Sequence, residues 1–486
     1  MNGLNWKFVV KVVGYILVLE SLFMFLSAAV AGYFDGPDLS TLLLSGSITL
    51  VCGLGIALPM GFKTKTKIIG KRESYLSVAL SWFFFALFGA FPFFISEAIP
   101  SFTDAFFEST SGITTTGSSV LINIEDMPKG ILFWRSTLQW LGGMGIIVFS
   151  LALLPLLGGE AAQLFDAEAT GLTHDKFRPR VTQMAKRLWA IYLLLTCLLI
   201  FLLWLGPMEL YDSVCHAFTT ISTGGFSTKQ ASIAFWDSSY TEIVLLVFMI
   251  LGAINFSLLY FFFLGQFKKF FKDEELRWFL YIILFASAVV GTGLIVNHNY
   301  DFIHSFRASF FQVVSVITTT GFSTEDFSSW GSFYLLVFLF LMVVCGCAGS
   351  TSGGLKTVRA VVLVKSTLSE FKRLVNPRAI IPIRLNGSAL SFSVVQRLLA
   401  FAFLYICIIF VSWIVLTSVG MSFVDALGAS VSSISNVGPG FGALGPHGSY
   451  HEIPLFAKWF LSFLMIIGRL EIFTILILFT PEFWKR

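Results

Sequence analysis

Apolar runs follow one another along the whole chain, broken by short polar connections. A helix of roughly 20 apolar residues crosses ~30 Å of hydrocarbon. Runs of this kind occur at 9–31, 42–62, 76–95, 131–157, 188–205, 243–264, 278–296, 333–344 with a continuation after a break, 398–419 and 454–479. Four other segments, 102–112, 210–220, 303–316 and 423–433, are less apolar and too short to cross, so the pattern predicts re-entrant helices there. Each runs into a small polar stretch that ends in glycine. The stretches are Thr114-Thr115-Thr116-Gly117, Ile221-Ser222-Thr223-Gly224, Thr318-Thr319-Thr320-Gly321 and Ser435-Asn436-Val437-Gly438. Their glycines recur at intervals of about a hundred residues, which marks an internal repeat.

The repeat predicts an all-α polytopic membrane protein. Four units, each a spanning helix, a short pore helix with its loop, and a second spanning helix (M1–P–M2), surround one ion path with pseudo-fourfold symmetry. The units run 71–160, 161–265, 266–385 and 386–486. Residues 1–70 lack such a loop and form an accessory transmembrane hairpin. Asp104 and Asp425 stand at the same distance before Gly117 and Gly438, which supports the alignment. Irregular backbone at membrane depth survives only where protein buries it or where it lines a watery path. Loops meeting on one axis satisfy that condition, because their carbonyls replace the hydration shell of a monovalent cation. Glycine adopts the backbone angles that aim a carbonyl at the axis. The Thr and Ser hydroxyls supply further oxygens or brace the loop. The pore helices turn the negative ends of their dipoles towards the cation.

Composition agrees with a bilayer environment: 56% of residues are hydrophobic and 12% charged, too apolar for a soluble chain of this length. Basic residues cluster on alternate connections, at Lys63, Lys65, Lys67, Lys71 and Arg72, at Lys176, Arg178, Arg180, Lys186 and Arg187, at Lys268, Lys269, Lys272 and Arg277, and from Lys356 to Arg384. The positive-inside rule makes this the cytoplasmic face and puts both termini there. The opposite connections are acidic, with Asp35, Asp38, Glu97, Asp104, Glu108, Glu125, Asp126, Glu209, Asp212, Asp237, Asp301, Glu325 and Asp326 against Lys129, Lys229 and Arg307. They predict a vestibule that concentrates cations.

The second helix of the third repeat breaks at 345–355. This run contains Gly346, Gly349, Ser350, Thr351, Ser352, Gly353 and Gly354, too glycine-rich and polar for a lipid-facing helix. Lying just below the third loop, it is placed to act as a gate across the path. Its tail approaches a P-loop, but Leu355 separates Gly354 from Lys356, and an apolar span stands where a strand is required. Arg469 lies inside the last apolar run, where an arginine faces the bundle interior or water. It is expected to hold the gate by its carbonyls, with Glu471 or other carbonyls as the purely structural partners. Scattered cysteines read as buried apolar residues, and the Cys345-Gly346-Cys347 run has no further ligands beside it. His174, His216, His298, His304, His447 and His451 show no zinc-ligand spacing. No nucleophile–base arrangement suggests an enzyme.

With its four loops, its basic connections and the segments 113–118, 221–227, 317–324 and 435–442, the chain resembles the Trk/Ktr/HKT superfamily of potassium transporters over nearly its whole length. The extra hairpin resembles the Trk branch more than the shorter KtrB form. The resemblance implies potassium uptake across a bacterial inner membrane, with potassium held at the loop residues and no other cofactor. It also implies a homodimer seated on a TrkA-like cytosolic ring of nucleotide-binding subunits. A single glycine per loop implies weaker discrimination among potassium, rubidium and sodium. Asn436 and Val437 depart from the simple pattern, so the fourth quarter is expected to differ. Lack of a broken-helix pocket favours gated conduction over proton- or sodium-coupled symport. Both stay open, as does the remoter reading of a polytopic membrane enzyme.

Overall fold

The computed structural model describes residues 4–60, 70–157, 177–379 and 381–485. Lys63, Lys65, Lys67, His174 and Lys176 lie outside them, as do the side chains of Arg178 and Arg180. Helices Trp6–Tyr33 and Leu39–Ala57 form the predicted hairpin. Small residues let them touch: a Cβ on Gly14 would fall 2.9 Å from the carbonyl of Gly53. Without a hydrophobic force between helices in lipid, such close backbone packing supplies the association.

The repeats follow in order. Their first helices are Lys71–Gly89, Phe177–Trp204, Glu274–His298 and Phe392–Ser418. The pore helices are Phe102–Ile113, Leu210–Ile221, Phe302–Ile317 and Phe423–Ser435. Ser101, Asp301 and Ser422 cap three of these by accepting backbone N–H groups. Apart from a two-residue hairpin pairing Arg384 with Ala389 and Leu385 with Ser388, the described residues are helical or irregular.

The second helices differ from one another. In the first repeat, Lys129–Leu157 runs unbroken. In the third, Ser332–Val344 stops at Cys345 and a helix resumes at Thr357–Val375, as the glycine-rich run predicts. In the second and fourth repeats the sequence suggests continuous spans, and the structure breaks both. Ser239–Ala253 meets Phe256–Phe263 at 109°, and Leu455–Arg469 meets Phe473–Phe479 at 108°. At the first bend Asn255 caps the new helix by accepting from Ser257 N at 2.8 Å. At the second, Glu471 takes a left-handed φ of 55°. Three of the four second helices are therefore interrupted, which corrects the expectation that broken helices are confined to the third repeat.

Candidate functional site

Each pore helix ends in the same way. The backbone N–H groups of Thr116, Gly224, Thr320 and Val437 donate to the carbonyls of Ser111, Thr219, Ser315 and Ser432, five residues earlier in every case. The residue before each donor has a left-handed φ: 52° at Thr115, 54° at Thr223, 60° at Thr319 and 56° at Asn436. Asparagine tolerates this region, whereas β-branched threonine does so only under constraint. A glycine of positive φ follows each donor, at Gly117, Gly225, Gly321 and Gly438.

This geometry moves the second loop by one residue. Ile221 is not a loop residue but the last of its helix, equivalent to Ile113, Ile317 and Ile434, so the second quartet is Ser222-Thr223-Gly224-Gly225. The isoleucine that directly precedes each four-residue stretch is the signal in the sequence that marks this register.

The four loops meet. A Cβ on Gly117 would come under 3 Å from the carbonyl oxygen of Gly224. Gly225 stands in the same relation to Thr320, Gly321 to Val437, and Gly438 to Thr116. The cycle closes after four steps, and every member needs glycine because a neighbour's backbone fills the space of a side chain. All four glycines line one cavity of about 70 Å³.

The loops are braced from outside the ring. Thr114 and Thr318 share hydroxyl hydrogen bonds with Thr116 and Thr320 at 2.7 and 2.8 Å. In the second loop Gln139 does this work: its amide donates to Gly224 O at 2.7 Å and accepts from Phe226 N at 3.0 Å. The Gln139 side chain fills the place where Thr116 and Thr320 carry theirs, which explains the second glycine. Tyr405 reaches Ser435 at 2.6 Å, and Asn436 Nδ2 donates to Thr116 Oγ1 at 2.9 Å and Met465 O at 3.0 Å.

Segment 345–355 lies directly against three loops. Thr351 Oγ1 is 3.0 Å from both Ile221 O and Gly252 O, and Thr223 Oγ1 approaches it at 3.3 Å. Thr319 Oγ1 donates to Ser352 Oγ at 3.3 Å and accepts from Gly353 N at 3.1 Å. Gly353 packs on the carbonyl of Ser435 with no room for a Cβ. Ser350 turns inward to Cys347 O, Ser352 Oγ accepts from Gly346 N, and Gly354 folds back on Cys345. Arg469, buried, donates to Thr351 O at 2.6 Å and to Gly142 O at 3.3 Å. Glu471 is not its partner; Glu471 pairs with Arg359 at 2.7 Å.

Two further braces are buried polar residues, Asn255 inside an apolar run and Glu275 in the charged first turn of the third repeat's first helix. Glu275 accepts from Ala348 N at 2.7 Å and Val358 N at 3.1 Å, holding both ends of the segment. Asn255 packs against Gly349, whose carbonyl accepts from Phe256 N at 3.1 Å.

Directly above the ring the acidic residues differ from the reading of the connections, although Glu125 and Asp126 stay exposed near the mouth. No carboxylate lines the cavity that the glycines share; Arg135 and Lys229 do. Glu108 is fully buried and accepts from Arg135 Nε at 2.6 Å and Val120 N at 2.9 Å. Asp104 pairs with Lys458 at 2.5 Å, and Glu242 with Arg307 at 2.7 Å. Arg135 and Lys458 belong to second helices, and their charges are spent on these acids. Among the described residues no group of His, Cys, Asp or Glu is arranged to hold a multivalent metal.

The cation transport protein family TrkH matches residues 47–486. The Trk system potassium uptake protein TrkH of Vibrio parahaemolyticus is 38% identical, the match covering 99% of this chain and all of that protein. TrkH of Escherichia coli K12 is 36% identical over 99% of this chain and all of its own length, and TrkG of the same organism is 34% identical over the full length of both. The crystal structure of the potassium transporter TrkH from Vibrio parahaemolyticus superposes with a TM-score of 0.91 at 37% identity, covering 99% of this chain and all of the other. Full-length relatedness and a shared fold lead to one conclusion: the chain belongs to the TrkH family of cation transport proteins, a family of transporters and not of enzymes.

Proposed function

We propose that this chain is the membrane subunit of a potassium uptake system in a bacterial inner membrane, with its basic face towards the cytoplasm. Ser/Thr-rich loops 114–117, 222–225, 318–321 and 435–438 form the selectivity filter, and segment 345–355 is the gate, anchored by Arg469. The observation that carries this reading is the closed cycle of four glycines, each seated on the carbonyl of the next loop. Main-chain oxygens so gathered replace the water around an alkali cation. The contacts of Thr351, Ser352 and Gly353 with the loops describe a shut gate beneath that ring. The curated relatives carry potassium uptake in their names, and the superfamily resemblance adds to the proposal a homodimer with a nucleotide-binding cytosolic partner.

Expression in a bacterium lacking its potassium uptake systems tests the reading. Growth restored at low potassium is the expected result; no growth despite membrane expression overturns it. Reversal potentials under opposed potassium and proton gradients separate conduction from symport. A potential set by potassium alone supports conduction.

A further inference from the structure

The fourfold ring is unequal in one respect. Among the described residues no group donates to the carbonyl oxygens of Gly117, Gly225 or Gly321. The carbonyl of Gly438 takes three donors: Ser118 Oγ at 2.9 Å, Ser432 Oγ at 2.9 Å and Tyr450 OH at 3.2 Å. They come from three segments, namely the first loop, the fourth pore helix and the connection after the fourth loop. All three residues are buried, at 2%, 0% and 2% exposure. Tyr450 is held by its backbone, whose N–H donates to Ser119 O at 2.9 Å, and by its ring, 5.5 Å from that of Phe107.

The other repeats do not reproduce this. Ser315, equivalent to Ser432, donates to Phe322 O one residue beyond its glycine, and Thr219 donates to His216 O within its own helix. The residue after Gly438 is Pro439, where the other loops carry Ser118, Phe226 and Phe322. A carbonyl oxygen has two lone-pair sites, so three donors leave none for a cation.

We infer that the outermost position of the ion path is a three-carbonyl site of Gly117, Gly225 and Gly321. Ser118, Ser432 and Tyr450 are specificity-determining positioning residues that withhold the fourth oxygen. The inference deepens the transport reading and rests on it. A cation at this level keeps a water molecule in the fourth quadrant. It meets fewer dipoles than in a complete ring, and the number and field of those dipoles set the preference among alkali ions. The asymmetry therefore weakens discrimination against sodium.

The test is the potassium-to-sodium permeability ratio of the full chain in vesicles, from reversal potentials. Tyr450→Phe removes one donor and keeps the ring packed on Phe107. Ser432→Ala and Ser118→Ala remove the others. The expected result is a ratio raised by about fivefold in Tyr450→Phe with Ser432→Ala, the equivalent of about one hydrogen bond's net free energy, and little change in each single variant, which keeps two donors on the two lone pairs. An unchanged ratio in a double variant that retains flux overturns the inference. So does a fall in flux that is equal for potassium, rubidium and sodium, because that marks a purely structural role. If Tyr450→Phe does not fold, Ser118→Ala combined with Ser432→Ala decides the matter by the same measure. Failure of the unsubstituted chain to carry potassium at all defeats the transport reading instead, and the two failures are distinct.

Discussion

At the scale of single residues, Gly225 and Gly224 separate two uses of glycine. A Cβ on Gly225 meets the backbone carbonyl of Thr320, which belongs to the ring and has nowhere to go, while one on Gly224 meets only the end of the Gln139 side chain. Gly225→Ala is expected to abolish potassium uptake in the low-potassium growth assay. Gly224→Ala is expected to lower it partly, and Gln139→Ala added to Gly224→Ala should restore some of the loss. Equal loss in both glycine variants would refute the revised register. Arg469 makes a second residue-scale case. It joins two carbonyls on different segments, and hydrogen bonds from charged groups contribute about 1.5–3 kcal/mol each. Arg469→Ala should raise passive rubidium flux through the isolated membrane subunit by about tenfold or more; unchanged flux in vesicles would count against an anchoring role. The loops themselves were legible in the sequence because glycine after Ser and Thr is conspicuous in an apolar chain. The register of the second was missed, since Gly224-Gly225 presents two candidates; the isoleucine before each stretch marks the right one, and the repeated five-residue hydrogen bond establishes it.

At the scale of elements, the proposed gate is a segment held at several points by side chains and bends of neighbouring helices. Glu275 ties Ala348 N and Val358 N, Asn255 contacts Gly349, and the pair of Arg359 and Glu471 joins the helix after the gate to the bend in the last span. Leaving two buried N–H groups unpaired costs about 1–3 kcal/mol each. Glu275→Ala should therefore raise resting leak in the same vesicle assay, while Glu275→Gln, which keeps an acceptor oxygen, should leak far less. Equal leak in the two variants would show that charge, not the hydrogen bonds, matters there. These bends were hidden in the sequence for a plain reason. Hydropathy continues across Ile254-Asn255-Phe256 and Leu470-Glu471-Ile472, and a lone polar residue in an apolar run does not by itself declare a turn. Two of the vestibule acids were miscounted for a related cause. Asp104 and Glu108 count as outer charges until the fold brings Lys458 and Arg135 onto them from other helices.

For the whole molecule, the basic connections predict orientation. A cysteine introduced at Lys372, on the exposed basic helix, should react with a membrane-impermeant maleimide only after the cell is opened. One introduced at Asp326 should react in intact cells. The reverse pattern would invert the assigned topology. A further consequence follows from the cycle in which each loop rests on the next. Its four quadrants are covalently one polypeptide, yet they behave as staves of a single hoop, in which each stave's position is set by the one beside it. Damage to one quadrant will therefore be repaired genetically at a directional neighbour. Second-site revertants of a substitution at Gly117 should gather around Gly224, those at Gly225 around Thr320, those at Gly321 around Val437, and those at Gly438 around Thr116. Mutations can thus trace the handedness of the ring without any further image of it.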